Sequence, residues 1–213
     1  MKEIVIIGAG DFGREVAWLI EDINKTSPKY RLLGYLDDKE GLSGKTVEGY
    51  PVLGNVGHLR KICGKGSVCS IIAMQDPDIK KRIVEKLNWF DSWENLIHPS
   101  ALISEKAELG AGNIITARNT VSINVTIGNH CLLNIGCIIG HDCVIGDYVS
   151  IMSNSAIAGR VEIKEGSYLG TGVSIVPGKK VGHSAKIGIG SVVIRDVKDG
   201  TTVMGNPARS IKF

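Results

Sequence analysis

Sixteen aliphatic residues stand six apart without a miss from Ile103 through Leu109, Ile115 and Val121 to Val193. Ile, Leu and Val supply 61 of the 213 residues, too few for such a run to arise by chance, so it is an internal repeat. A period of six matches neither a helix at 3.6 nor a single strand at 2. It does match a prism in which each six-residue unit lays down one flat face and the next turns a corner. Three faces make one coil of eighteen residues, and coils stack at about 4.8 Å as strands of parallel sheets. The run holds a little over five coils.

The unit Ile145-Gly146-Asp147-Tyr148-Val149-Ser150 shows the grammar. Its first residue points inward. Its fifth position is usually small elsewhere, as at Ala107, Cys131, Cys137, Cys143, Ser155, Ser167, Ala185 and Ser191. Glycines such as Gly110, Gly128, Gly140 and Gly146 recur at the second position, where the corner is expected to need unusual backbone angles. Residues 98–198 therefore read as one β-helix domain, with 199–213 as a tail.

Composition narrows the function. A net charge of +3 without a block of Lys and Arg argues against nucleic acid as a partner. The apolar run at the start is too short for a signal peptide, and nothing approaches the length of a membrane span; a cytoplasmic protein is expected. The five cysteines include no C-x-x-C pair. Cys131, Cys137 and Cys143 fall on three successive faces, so they read as small core residues rather than zinc ligands, and no metal is expected.

Residues 1–97 follow a different pattern. Lys2–Ile7 is β-rich and runs into Gly8-Ala9-Gly10-Asp11-Phe12-Gly13, a G-x-G-x-x-G turn. A helical face of Val16, Leu19, Ile20 and Ile23 follows, then strands at Arg31–Leu36 and Val68–Ala73 and an amphipathic helix over Asp76–Phe90. Alternating strands and helices predict a small Rossmann-like parallel α/β sheet. Its glycine turn would bring backbone close to a phosphate at a helix N-terminus. Asp37 and Asp38 end the second strand near the spacing at which an acid meets a ribose hydroxyl. Fewer than 100 residues leave no room for a second nucleotide-binding half, so one nucleotide, carried by a nucleotide sugar, is the expected ligand and a dehydrogenase is not.

Five histidines are available. His58 falls in a short helix and His98 at the domain junction. His130, His141 and His183 fall at outward positions of the ladder. Their separations do not match the zinc set of a γ-class carbonic anhydrase. His141 stands out because Asp142 follows it and Asn134 precedes it by seven residues. A general base needs a neighbour that stabilises its protonated form, and Asp142 serves only where the turn brings its carboxylate to the ring.

The hexapeptides resemble the left-handed parallel β-helix of acyltransferases, and the chain as a whole resembles a narrower group. Gly8-Ala9-Gly10-Asp11-Phe12-Gly13, Leu36-Asp37-Asp38, Asn95-Leu96-Ile97-His98-Pro99-Ser100-Ala101, Gly140-His141-Asp142-Cys143-Val144-Ile145-Gly146-Asp147 and Gly205-Asn206-Pro207-Ala208-Arg209 occur in that order. This set is similar to the sugar acetyltransferases of bacterial sialic acid, bacillosamine and related surface-glycan pathways, from Ile4 to about Arg209.

The resemblance implies that His141 is the general base, that Asp142 raises its basicity, and that Asn134 lies near the reacting centre. It implies acetyl-CoA as co-substrate, held between subunits of a homotrimer. Ser150, Gly159, Thr171 and Ile189 would contact that cofactor, and the Gly-Asn-Pro-Ala tail would close over its far end. Gly10, Asp11, Phe12, Gly13, Asp37, Asp38 and Gln75 would bind the nucleotide sugar.

Three positions depart from the family pattern. Phe12 stands where a histidine is frequent, Met74-Gln75-Asp76 replaces Ile-Gly-Asn, and Ser150 replaces a histidine nine residues after the base. The alternative function is a non-catalytic trimeric scaffold that binds sugar nucleotides. The His141-Asp142 pair argues for the enzyme.

Overall fold

The computed structural model describes residues 1–64 and 66–211. The N-terminal domain places β1 (Lys2–Ile7), α1 (Asp11–Thr26), β2 (Tyr30–Leu36), β3 (Thr46–Val47), β4 (Tyr50–Gly54), α2 (Leu59–Cys63), β5 (Val68–Ile72) and α3 (Pro77–Lys86) in that order. The sheet runs β3-β4-β2-β1-β5. All neighbours are parallel except β3 and β4, a hairpin that the sequence pattern does not announce. α3 is shorter than the expected Asp76–Phe90: Asp76 caps it by accepting from the amides of Asp78 and Ile79 at 2.8 and 3.2 Å. Beyond α3, Phe90 packs edge-on against Trp93.

The glycine turn between β1 and α1 is sterically required at two positions. Gly8 has φ +110°, and a Cβ there would lie 2.8 Å from the Met74 methyl; one on Gly13 would strike the Gly8 carbonyl. Gly10 has open space instead.

From Leu96–Ile97 to Val192–Val193 the chain is a β-helix of two-residue strands, each paired in parallel with the strand eighteen residues away, as Thr120 with Leu102 and Ile138. Face 1 runs from Leu102–Ile103 to Val192–Val193, face 2 from Glu108–Leu109 to Lys180–Val181, and face 3 from Leu96–Ile97 to Thr202–Met204, edged by Arg209–Ile211. The ladder residues and the small fifth-position residues make one apolar core.

Three expectations are corrected here. The helix starts at Leu96 rather than 98, because Leu96–Ile97 already pairs with Ile114–Ile115. It continues past 198: Val197 bridges Val181 and Thr202–Met204 pairs with Lys186–Ile187, so the core goes on through Val197 and Val203 with one shortened step. Positive φ falls at the fourth residue of the unit, as at Asn124, His130, Asp142 and Tyr148, and not at the second. The second-position glycines are there for space, since a Cβ on Gly140 would sit 2.6 Å from the Gly159 nitrogen.

The two domains share a core on the outer side of face 3. There Leu96, Ile114, Leu132 and Met152 are buried in one cluster with Phe12, Val16, Ala17 and Ile20 of α1. Lys80 of α3 is 2 % exposed and points into the same junction. Its ammonium donates to the carbonyls of His130 and Val149 and to Ser150 Oγ at 2.8, 3.3 and 2.9 Å. Burial lowers its pKa to about 8, and the three acceptors match its three donors. His130, expected to face solvent, is 5 % exposed because Trp93 covers it on one side and Tyr148 stacks on the other. Burial, then Lys80, brings its pKa down to about 4, so it is neutral.

Lys80→Ala removes a buried stem and leaves the His130 carbonyl without this donor, at a cost of about 2–4 kcal/mol. In thermal denaturation the melting temperature is expected to fall by about 5 °C or more. Lys81→Ala, which removes only an exposed ion pair with Glu165, is expected to shift it by less than about 2 °C.

Candidate active site

His141 sits on the corner between faces 1 and 2, in the turn that joins Ile138–Ile139 to Val144–Ile145. The turn is held along the helix axis: Asp142 N donates to Ile123 O at 3.1 Å, and Arg160 N donates to His141 O at 2.8 Å. Asp142 adopts φ +59°, a left-handed conformation that Asp tolerates better than most residues. That angle turns its carboxylate back toward its neighbour, and Oδ2 lies 2.7 Å from His141 Nδ1. The condition that adjacency alone leaves open is therefore met.

A carboxylate only accepts, so Nδ1 carries the proton of the neutral ring and Nε2 keeps its lone pair. The bond from His141, and after it one from the Asn124 amide to Oδ1 at 3.0 Å, hold the Asp142 carboxyl below its ordinary pKa. Asn124 was not singled out in the sequence. The signal was available, because it stands eighteen residues before Asp142 and so occupies the same corner one coil earlier.

On the next coil Gly159 lies beneath the imidazole. A Cβ there would be 2.5 Å from Nε2 and 2.6 Å from Cε1, so the absent side chain is what gives the ring its place. The Gly159 N–H has no partner among the described residues.

The other expected contacts divide into groups. Asn134, Thr171 and Ile189 lie on the corner between faces 3 and 1, across the full width of face 1 from His141, so one chain does not bring them to the base. Asn134 is nearly buried, with Oδ1 taking the Ile135 amide at 2.8 Å. Thr171 and Ile189 are exposed. Ser150 is corrected: it is fully buried on face 3 and binds Lys80, which removes it from any surface groove. Phe12 is corrected as well, since its side chain is 8 % exposed within the interdomain core.

A cavity of about 270 Å³ opens at the ends of the N-terminal strands and is lined by Ile7, Asp37, Asp38, Met74, Arg82 and Lys86, among others. Asp37 braces the glycine turn by accepting from Ala9 N at 2.8 Å. Burial would raise the Asp38 carboxyl, but the Lys86 ammonium at 2.8 Å and the Val56 amide hold it below the ordinary range. Gly10 and Asp11 are exposed at the start of α1, where Asp11 pairs with Arg14 at 2.6 Å. Gln75 is partly exposed just after the strand that borders this cleft. The cysteines at fifth positions sit against carbonyls, as Cys131 Sγ does at 3.1 Å from Gly146 O.

Comparison with known proteins agrees with this anatomy. Residues 3–87 match the PglD N-terminal domain, and residues 124–159 and 142–177 match the bacterial transferase hexapeptide (six repeats). GDP-perosamine N-acetyltransferase of Escherichia coli O157:H7 is 33 % identical over 97 % of this chain and 95 % of its own length. PerB from Caulobacter crescentus, solved with CoA and GDP-perosamine, superposes with a TM-score of 0.89 at 28 % identity, covering 100 % of this chain and 98 % of that one. The acetyltransferase domain of PglB from Neisseria gonorrhoeae, solved with acetyl coenzyme A, gives 0.88 at 29 % identity, covering 99 % of each chain. With its α/β domain docked on a left-handed parallel β-helix, the chain belongs to the hexapeptide-repeat N-acetyltransferases of nucleotide-linked amino sugars.

Proposed function

We propose that this enzyme moves the acetyl group of acetyl-CoA onto the amine of a GDP-linked amino sugar, GDP-perosamine being the first acceptor to test. The observation that carries the chemistry is the Asp142–His141 pair, whose half-exposed imidazole sets Nε2, the nitrogen left free when Nδ1 donates to Asp142, above Gly159. The neutral amine attacks the thioester carbonyl carbon while Nε2 takes an amine proton. The tetrahedral intermediate then collapses, the C–S bond breaks, and the imidazolium returns its proton to the departing CoA sulfur. The unpartnered Gly159 N–H is a donor available to the carbonyl oxygen as negative charge develops there. No acyl-enzyme is needed. The choice of a GDP sugar rests on the full-length similarity to enzymes whose names and ligands specify GDP-perosamine.

The nucleotide belongs in the N-terminal cleft, against Asp37, Asp38 and Gln75, with Gly10, Asp11 and the Gly13 turn beside it. The acceptor then extends toward Asn134, at one edge of the face on which that domain docks. His141 and Gly159 stand on the opposite corner of face 1, and Thr171 and Ile189 share the corner of Asn134. A threefold arrangement with face 1 turned to the axis joins one subunit's His141 corner to the next subunit's Asn134 corner. The outward residues of face 1, namely Leu102, Thr120, Ile138, Ala156, Ser174 and Val192, carry no charge, as a buried oligomer surface requires. Acetyl-CoA would lie in the groove so formed, closed by the tail. No described helix is long and apolar enough to cross a membrane, and an enzyme fed by acetyl-CoA and nucleotide sugars fits the cytoplasm. A bare trimeric scaffold would have no use for an oriented imidazole.

The direct test is release of CoA thiol together with the mass of the sugar product, using GDP-perosamine and a panel of UDP- and dTDP-linked amino sugars. A GDP sugar that gains one acetyl group supports the proposal; turnover confined to UDP or dTDP sugars would move the nucleotide assignment, and no turnover with any of them would favour the scaffold. His141→Ala is expected to slow the chemical step by about 10²- to 10⁴-fold with the oligomer intact, and Asp142→Asn by less. Gly159→Ala pushes on a flexible ring rather than on backbone, so folding is retained while kcat falls about 10²-fold through displacement of the base.

A further inference from the structure

We infer that Asn124 is a positioning residue for this reaction, acting on His141 through Asp142; the inference rests on the reading of His141 as the base. Three side chains on adjacent coils form one chain of contacts. Asn124 Nδ2 donates to Asp142 Oδ1 at 3.0 Å, and Asp142 Oδ2 faces His141 Nδ1 at 2.7 Å. The carboxylate is thus gripped at both oxygens, by its own neighbour and by the previous coil.

That second grip matters because Asp142 is otherwise free to turn. Its side chain is 45 % exposed, and the terminal torsion of an aspartate is broad and roughly twofold. Without the amide the carboxylate rotates away from Nδ1 for part of the time. The ring then loses the partner that selects its tautomer, and the lone pair is no longer confined to Nε2. Stacking of the coils sets the spacing: Asp142 N is tied to Ile123 O at 3.1 Å, which places residue 124 beside residue 142.

Asparagine is not at this position simply to accommodate the turn. Asn124 has φ +56°, but Arg118, Tyr148, Arg160 and Ser184 adopt similar angles at the equivalent corners. A left-handed corner therefore accepts many side chains in this helix. What Asn124 adds is a neutral donor aimed at a carboxylate. On the far side Arg160 places a positive charge near Asp142 without a hydrogen bond to it among the described residues, so the orienting contact from a neighbouring coil is that of Asn124.

Two variants separate positioning from turn geometry. Asn124→Gly keeps the left-handed backbone and deletes the amide. Asn124→Asp keeps both shape and backbone tolerance but sets a carboxylate against Asp142. Steady-state kinetics with acetyl-CoA and the accepted nucleotide sugar, together with nitrogen chemical shifts of isotope-labelled histidine assigned through His141→Ala, read the outcome. Asn124→Gly is expected to lower kcat by about 5- to 20-fold, at or below the low end of what one hydrogen bond to a charged group contributes, because the contact acts through Asp142, with both KM values unchanged. Asn124→Asp is expected to lose more, and the His141 ring to change from a single Nδ1–H tautomer to a mixture in both. Rates within twofold of wild type in both variants, with the single tautomer retained, would overturn the inference. If His141→Ala itself keeps its rate, the base assignment fails, and the nitrogen spectrum alone then decides whether Asn124 orients the ring.

Discussion

Hydrogen bonds between coils hold the corner residues of the β-helix, from its start to the shortened step after Val193, over counterparts eighteen residues away, and the candidate active site is a product of that stacking. Neighbouring coils donate to each other in both directions, as Gly140 N does to Ile157 O on the following coil at 2.7 Å and Arg160 N does to His141 O on the preceding one at 2.8 Å. Side chains far apart in sequence become neighbours along a corner. Asn124, Asp142 and Arg160 form one column, and Ile123, His141 and Gly159 form the next. The His141 imidazole is therefore held from three coils: by Asn124 through Asp142 on one side, by its own turn, and by the missing side chain of Gly159 on the other.

A rigid scaffold of this kind suits the direct transfer proposed for this enzyme, in which the protein forms no covalent intermediate. The enzyme must hold an amine, a thioester and a base in line, and the energy of a β-helix core is spread along its whole length. The N-terminal domain does not swing freely on this column. Phe12 and Val16 share a core with Ile114 and Leu132, and Lys80 fastens α3 to the carbonyls of two coils. A nucleotide held by that domain would be presented to the helix at a fixed height.

Much of this was legible in the sequence, for reasons that can be named. The ladder from Ile103 to Val193 survives as a pattern because every one of its members faces the same narrow core, and the glycine turn survives because Gly8 and Gly13 leave no room for alternatives. The His141-Asp142 pair was legible as chemistry but not as geometry, since the left-handed angle at Asp142 decides whether the two side chains meet. Lys80, Asn124 and the burial of Phe12 and Ser150 escaped notice. Each depends on which surface of one element lies against another, and a period of six is silent about what covers face 3. The helix also outran its pattern, because the shortened step from Val193 to Val197 breaks the period while the core continues. Asn124 alone had a readable clue, in its offset of one coil from Asp142.

The acceptor amine is expected to deliver its proton to His141 Nε2 at a corner completed by a neighbouring subunit. A crystal structure of the protein with CoA and GDP-perosamine tests it most directly. The amine nitrogen is expected within about 3 Å of His141 Nε2, the CoA sulfur close by over Gly159, and the guanosine in the N-terminal cleft of the adjacent subunit. An amine held against a different basic group, with His141 facing solvent, would contradict it.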